Sequence, residues 1–174
     1  MFTMKNEGLV AKGARSQKTF KLLLAGVVAC AIGGIALRFA WATPGAGVTS
    51  ATTAGPVLLD GIDVESHGPD YGIKIKATKG SSQCRIVHYS IAPGGHTGWH
   101  SHPGPAFVMV KAGTLTLYYA DNPDVGVDYP AGTGWVEEPG RVHIARNNGA
   151  AEVELDAFLL VPQGAPVRID APAP

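Results

Sequence analysis

The amino-acid sequence predicts an all-β fold, either a sandwich or a barrel of antiparallel strands. Two observations favour it: apolar runs of strand length alternate with turns rich in Gly, Pro, Asn and Asp, and no stretch after Ala42 keeps the period of a helix. The predicted strands cover residues 57–64, 71–77, 84–91, 107–110, 114–119, 125–129, 134–137, 142–145 and 153–161.

Residues 1–42 have the pattern of an export signal. A basic opening is followed by an apolar run over residues 22–37 and by an Ala-x-Ala sequence that ends at Ala42. As a helix this run would rise about 24 Å, short of the roughly 30 Å hydrocarbon core, which favours cleavage and export to the periplasm. An uncleaved transmembrane anchor would leave the domain in the same extracytoplasmic compartment. A lipoprotein site at Cys30 is disfavoured because the apolar run continues past it.

The two ends of the exported part are predicted to be irregular. Residues 43–55, TPGAGVTSATTAG, have no periodicity and are expected to form a flexible linker. The domain is expected over residues 56–167, which is long enough to bury one hydrophobic core. Prolines recur after Val161, so residues 168–174 are predicted to form a loose tail.

Glycine marks the tight turns that join the predicted strands. Residues 111–113 (KAG) reverse the chain between two strands, with glycine available for a positive φ. Residues 130–132 (PAG) and 138–140 (EPG) repeat the pattern. The strands are therefore expected to follow one another as antiparallel neighbours.

The charge distribution argues against nucleic acid as the main partner. The formal net charge of the chain is zero, but eight basic and thirteen acidic residues follow Ala42, which gives this part a charge of about −5. An acidic domain without a basic stripe does not attract a phosphate backbone. The expected partners are a small molecule and, through the N-terminal segment alone, a membrane.

Three histidines carry the first sign of chemistry. His100 and His102 are two residues apart, so in an extended segment their side chains leave the same face with Cα atoms roughly 6 to 7 Å apart. Two imidazoles at that spacing can reach one metal ion at about 2 Å from each nitrogen. His143 follows the turn at Gly140, where an antiparallel strand could return beside the first pair.

Two segments around these histidines resemble the motifs of the cupin family. Residues 94–113 follow the pattern G-x5-H-x-H-x3-E-x6-G, with Ala106 in the place of Glu, and residues 132–147 follow G-x5-P-x-G-x2-H-x3-N, with Glu138 in the place of Pro and the proline shifted to Pro139. The resemblance covers most of residues 56–162. It implies a jelly-roll antiparallel β-barrel of six to eight strands, with a metal bound inside it, and a homodimer as a common assembly.

The departure at Ala106 bears on the chemistry. The resemblance carries over three metal ligands, His100, His102 and His143, and leaves the position of the acidic ligand empty. Three neutral imidazoles keep the full charge on a divalent ion such as Fe, Mn, Ni or Zn, and leave coordination positions open for substrate or dioxygen. Some cupin dioxygenases use three histidines without the acid, so oxygen chemistry is compatible with this set.

Three other residues could add a fourth ligand. His96 lies in the glycine-flanked loop before His100, where a solvent-facing or rim position is favoured. Glu137 and Glu138 precede the turn that leads to His143; either could fold in as the carboxylate, although a solvated face is favoured for both. The sequence predicts a three-histidine centre.

Arginines and aromatic residues near the motifs have two interpretations each. Arg141 and Arg146 flank His143 and could bind an anionic substrate or lie on a surface turn. Trp99 and Trp135 could line a pocket mouth or pack in the core.

Two functions therefore stay open. One is an exported mononuclear metalloenzyme, a dioxygenase or a related lyase, that acts on a small molecule. The other is a non-enzymatic module that binds a metal or a small ligand, since the fold alone does not decide the function.

Overall fold

A computed structural model describes residues 42–77 and 79–174. The export signal and the N-terminal helix predicted from the sequence fall almost wholly outside these residues. Within the described ranges the chain forms strands and no α-helix, and so no helix that could cross a membrane. The strands are β1 (Ala46–Leu59), β2 (Ile62–His67), β3 (Gly72–Ala77), β4 (Ser82–His96), β5 (His100–Ser101), β6 (Ala106–Ala112), β7 (Thr114–Tyr119), β8 (Asn122–Pro130), β9 (Gly134–Glu137), β10 (His143–Arg146), β11 (Val153–Pro162) and β12 (Ile169–Asp170).

Ten of these strands form one antiparallel sheet that curves into a nearly closed barrel. β4 is its longest strand and pairs with β1 and β11. β11 continues the sheet through β6 to β9, while β10 joins β5 and β7, and β7 joins β8. β2 and β3 form a separate two-stranded hairpin. The all-β prediction is confirmed, and the barrel is consistent with a cupin jelly roll.

The core lies inside the barrel and follows the two-residue period of its strands. Buried and more exposed side chains alternate along β6 and along the first half of β11. Val108 of β6 and Leu155 of β11 belong to one buried cluster with Val87 and Ile91 of β4. The inward side chains of these strands therefore form one continuous wall, which positions the site described below.

The segment predicted to be a flexible linker is instead part of the barrel. Most of residues 43–55 belong to β1, which pairs with β4. Backbone hydrogen bonds hold such a strand, and they need no particular side chains. Because the side chains of β1 are mostly exposed, no apolar periodicity marked it in the sequence.

The C-terminal end is also paired rather than loose. β12 pairs with β5, and the Ala171 N–H donates to the carbonyl of Trp99 over 2.9 Å. Ala171 is buried against the Trp99 side chain. The prolines at positions 166 and 172 flank this pairing without interrupting it, so their frequency was a poor guide to disorder.

The other strand predictions agree well with the structure. β7 and β9 have the predicted bounds, and the run predicted over residues 57–64 is divided between β1 and β2 at Gly61. Gly113 reverses the chain between β6 and β7 with a φ of 73°, and a Cβ there would meet the Glu152 carbonyl oxygen at 2.8 Å. Glycine is therefore required at this turn, as predicted.

Candidate metal centre

The three histidines of the two motifs meet at one place inside the barrel. His100 begins β5, His102 follows it, and His143 begins β10 directly opposite His100. One ring nitrogen of each lies within 4.8 Å of the others, and all three side chains are buried. The pairing of β5 with β10 thus brings together two segments that are distant in the sequence.

Backbone carbonyls fix the orientation of all three rings. The Nδ1 atoms of His100 and His143 lie 2.9 Å from the carbonyl oxygens of Gly98 and Arg141, and Nδ1 of His102 bonds to the carbonyl of Val167. A carbonyl oxygen only accepts, so each Nδ1 carries the proton. Each Nε2 is therefore turned toward the centre of the cluster, the arrangement usual for histidines that bind a metal.

The carbonyl that orients His100 depends on a glycine. Gly98 has a φ of 72°, and a Cβ on it would lie 2.1 Å from the carbonyl oxygen of Thr43. No other residue fits this close approach of two backbone segments. The glycine-rich context of the histidines is thus part of how the site is built.

A carboxylate that the sequence placed in solvent completes the cluster. Glu137 is only 6% exposed; its Oε2 lies 3.1 Å from Nε2 of His102, and its Oε1 lies 3.3 Å from Nε2 of His143. The indole of Trp135 donates to Oε1 over 3.3 Å. The solvated position favoured for Glu137 is therefore wrong, whereas Glu138 does face solvent, with 71% of its side chain exposed.

Strand alternation explains why neighbouring glutamates have opposite positions. Along β9 the side chains of Trp135 and Glu137 point inward and that of Val136 points outward. The sequence contained this alternation. However, Trp135 and Val136 are both apolar, so the pattern did not indicate which of the two side chains points inward.

Glu137 lies directly across from the residue that replaces the acid of the family motif. Ala106 of β6 pairs with Glu137 of β9, and Ala106 is fully buried. Directly opposed residues share a face, with Cβ atoms about 4.5–5.5 Å apart. The small Ala106 side chain leaves room that the carboxylate from the adjacent strand enters.

Burial and mutual charge set the protonation of the cluster. Burial, followed by the positive charges of His143 and Arg168, lowers the pKa of His100 to about 3. Burial opposes ionisation of Glu137, but the adjacent imidazoles of His102 and His143 outweigh it and hold the pKa of this carboxyl well below its ordinary range. Burial also disfavours charge on His143, but the adjacent Glu137 outweighs it and raises the pKa. The carboxylate is therefore ionised at neutral pH.

A cavity of about 470 Å³ adjoins the cluster. Its wall includes His100, His102 and Glu137 at one part and apolar side chains of the barrel over much of the remainder. Tyr89 also faces it; burial and then the charge of Glu137 raise the pKa of this phenol, so it stays a neutral donor. This volume is in the range of sites that bind small molecules.

The remaining candidate residues lie outside the cluster. Nδ1 of His96 accepts from the N–H of Gly98, so this histidine serves its own loop. Arg141 bonds to Asp121 and stacks 3.6 Å above the ring of Tyr119. Arg146 does not line the cavity.

Trp99 and Trp135 have different positions. Trp99 packs in a small core cluster with Ile144, whereas Trp135 lines the cavity and supports Glu137. The sequence left both interpretations open for each, and each tryptophan follows a different one.

The sequence interpretation missed Arg85, which does line the cavity. Its signal was the alternation of β4, where Arg85 shares a face with Val87, Tyr89 and Ile91. Arg141 and Arg146 were candidates for binding an anionic substrate because they flank His143 in the sequence, but neither lines the cavity.

The side chains present fit a divalent transition-metal ion. Two donors that each bind a metal at about 2.1 Å and at a right angle lie about 3 Å apart, close to the 3.1 and 3.3 Å between Glu137 and two imidazoles. Nε2 of His143 is enclosed and makes no hydrogen bond with any described residue. Imidazole and carboxylate donors together suit Fe, Mn, Ni or Zn.

The fold and this cluster define an all-β barrel with a buried histidine site compatible with a divalent metal. The family model of the cupin domain matches residues 87–162, which run from β4 to the end of β11. No curated protein sequence matches the chain.

Solved structures give partial matches. An uncharacterised conserved protein with a double-stranded β-helix domain from Klebsiella pneumoniae is 18% identical, with 64% of this chain and 84% of that chain covered and a TM-score of 0.44. A cupin superfamily protein from Desulfitobacterium hafniense is 11% identical, with 60% and 78% covered and a TM-score of 0.41. Oxalate oxidase is 24% identical with a TM-score of 0.43; the match covers 49% of this chain and 45% of the oxidase.

Proposed function

We propose that this protein is a mononuclear metalloenzyme that acts on a small molecule. His100, His102, His143 and Glu137 would hold one divalent ion. The observation that carries the proposal is the cluster of three buried imidazoles with the buried Glu137 carboxylate 3.1 and 3.3 Å from Nε2 of His102 and Nε2 of His143. Such a set would have the three histidines and one acid of the family motif, with the acid on β9 instead of β6.

The metal would supply Lewis acidity at coordination positions that the four protein donors leave open. The chain's own groups do the rest. The three backbone carbonyls hold the imidazoles in one tautomer, and the Trp135 indole holds the Glu137 carboxylate. The apolar wall of the cavity excludes water from the reacting molecule.

Oxygenation and metal-assisted bond cleavage are the reaction classes that this site suits. Both need open positions beside a cavity, and the cluster opens onto one of about 470 Å³. A non-enzymatic role, in which the protein only holds a metal or a small ligand, is the alternative. A purely structural zinc site is less natural because such sites are usually built with cysteine ligands, which this cluster lacks.

Metal analysis of the full-length protein tests the metal centre. We expect about one equivalent of a transition metal per chain, lost in the double variant His100→Ala, His102→Ala. We expect Glu137→Gln to lower the affinity by about tenfold or more, because it replaces a charged donor with a neutral amide. Glu138→Gln is the matched control, because Glu138 is the next residue in the sequence but its side chain faces solvent. This variant should bind the metal as the wild type does. A wild-type protein that takes up no metal would refute the proposal.

Oxygen uptake separates the enzyme from the binding module. The metal-loaded protein is screened against diketones, thiols and phenolic acids, with product analysis to detect cleavage without oxygen. Turnover that disappears in the double histidine variant supports the enzyme. Turnover that persists in that variant, or no turnover of any compound by the loaded wild type, counts against it.

The proposal includes export through residues 1–42, supported by their basic, apolar and Ala-x-Ala pattern. Expression of the full chain followed by mass spectrometry of its N-terminus tests this. A mature N-terminus at Thr43 in the periplasmic fraction is expected, and an intact cytoplasmic chain would contradict export.

A further inference from the structure

Arg85 is a cavity residue whose charge has no partner among the described residues. Its side chain lines the cavity, and its Nε is enclosed without a hydrogen bond. No described carboxylate lies within ion-pair distance of its guanidinium. Arg85 is partly buried, and even partial enclosure of a guanidinium is unfavourable unless an anion pairs with it.

Arg168, the second arginine of the cavity, has partners for its charge and so provides a comparison with Arg85. Arg168 bonds to the Asp170 carboxylate, and its Nη2 donates to the carbonyl of Thr97 over 2.8 Å. Both arginines line the same cavity, but only Arg168 has its charge balanced by the chain itself. The unmet requirement is therefore specific to Arg85.

Strand register places Arg85 and the metal centre on one inner row of the barrel. Arg85 of β4 pairs with Leu159 of β11, Leu159 pairs with Ala106 of β6, and Ala106 pairs with Glu137 of β9. Three strand spacings of about 4.8 Å separate the two ends by about 14 Å along the curved sheet. Leu159 of this row is buried and lines the cavity, so the wall next to Arg85 is apolar. A ligand that lies along this wall meets a cation at one end and the cluster at the other.

The net charge of the cavity also favours an anionic ligand. Arg168 and Asp170 cancel, and Arg85 and Glu137 cancel in number although they do not touch. A divalent ion at the cluster would leave the cavity with an excess of two positive charges. An anionic group removes part of that excess, and a guanidinium binds a carboxylate in a bidentate manner.

We propose that the cavity binds a small organic carboxylate, with the carboxylate paired to Arg85 and an apolar body lying along Leu159 toward the metal centre. Val87, Leu115 and Leu159 are among the apolar side chains of the wall, which suits a hydrocarbon or aromatic body rather than a sugar. The orientation toward the metal rests on the proposed function. The pairing with Arg85 does not.

Titration calorimetry with matched acids and amides tests this. Benzoate and cinnamate are compared with benzamide and cinnamamide on the full-length protein, both metal-free and loaded with redox-inert Zn²⁺. We expect the acids to bind wild type at least about tenfold more tightly than the amides, because only the acids form a charge-assisted pair. Arg85→Gln should remove this preference, and Arg85→Lys, which keeps the charge but not the fork, should keep part of it.

Arg146→Gln is the matched control, because this arginine does not line the cavity, and it should keep the acid preference. Circular dichroism and metal content establish that each variant is folded and loaded. Equal binding of acids and amides, an acid preference that survives Arg85→Gln, or no binding of either acid overturns the proposal. If the acids bind through Arg85 while the wild type takes up no metal, the proposed metalloenzyme is refuted and the carboxylate site at Arg85 is retained. If the wild type takes up metal in full but binds neither acid, the carboxylate site is refuted and the metal centre is retained.

Discussion

Charged residues on the inner and outer faces of the same sheet differ in whether they pair with one another. On the outer face, Asp156 of β11 bonds to His88 of β4 at 2.8 Å and to Lys111 at 3.4 Å. On the inner face, Arg85 and Glu137 belong to one row, yet they do not pair with each other. These outer charges thus pair across adjacent strands, whereas Arg85 and Glu137 on the inner face are separated by Leu159 and Ala106.

This difference agrees with the proposed roles, in which the outer charges need only one another and the inner residues bind a metal or a ligand. Exposed pairs of the outer kind contribute little to stability and need nothing added. Buried charges of the inner kind are costly when incomplete, so their arrangement is explained by what they bind. Substitutions on the two faces should accordingly change different quantities.

The largest effect is expected for His143→Ala. Its Nε2 is enclosed and has no other role among the described residues, and its loss should lower the metal affinity by more than about 100-fold, beyond the effect of losing a supporting residue. Competition with a chelator measures this. His88→Ala on the outer face is the control; an equal loss in both variants would contradict a division between the faces.

Moving the carboxylate across the strand pair should restore a damaged site. Glu137→Ala alone should weaken metal binding by about 10- to 100-fold, and adding Ala106→Glu should recover most of it because the two positions face each other. The double variant Ala106→Gln, Glu137→Ala has the same bulk without the charge and should not recover. Recovery with glutamine would show that space, not a carboxylate ligand, decides the result.

A smaller effect is expected for Trp135→Phe. This change keeps a cavity-lining ring but removes the 3.3 Å hydrogen bond to Glu137, so metal affinity should fall by up to about tenfold. The chelator competition used for His143 measures it. No change in affinity would mean that packing of β9 alone positions the carboxylate.

The smallest effect is expected for Asp156→Asn on the outer face. The hydrogen bond from His88 and the charge of Lys111 hold the pKa of Asp156 below its ordinary value of 3.8. The pair therefore stabilises the fold above about pH 4, and this contribution is lost as the pH falls through the folded-state pKa. Because the pair is partly exposed, the variant should lose less than about 1 kcal/mol of unfolding free energy at pH 7.

Denaturant unfolding at pH 7 and at pH 3 measures this last difference, which should shrink at the lower pH. Metal content and acid binding should match the wild type. A change in either would show that the outer pair is coupled to the cavity.

Local patterns in the sequence were sufficient for most of the strands and for the adjacency of two of the histidines. The two-residue period and the glycine turns predicted β7 and β9 with their bounds, and the His-x-His spacing predicted the adjacency of His100 and His102. β1 and β12 were missed because edge pairing depends on backbone hydrogen bonds that leave no apolar signal.

By itself the sequence determined the class of fold, the three histidines of the cluster and the absence of an acid at Ala106. Only the tertiary structure decided that Glu137 lies beside these histidines and that Arg85, rather than Arg141 or Arg146, faces the cavity. The physical reason is register: which residues oppose one another across β4, β11, β6 and β9 depends on pairing between distant segments, and a shift of one residue would turn each side chain to the other face.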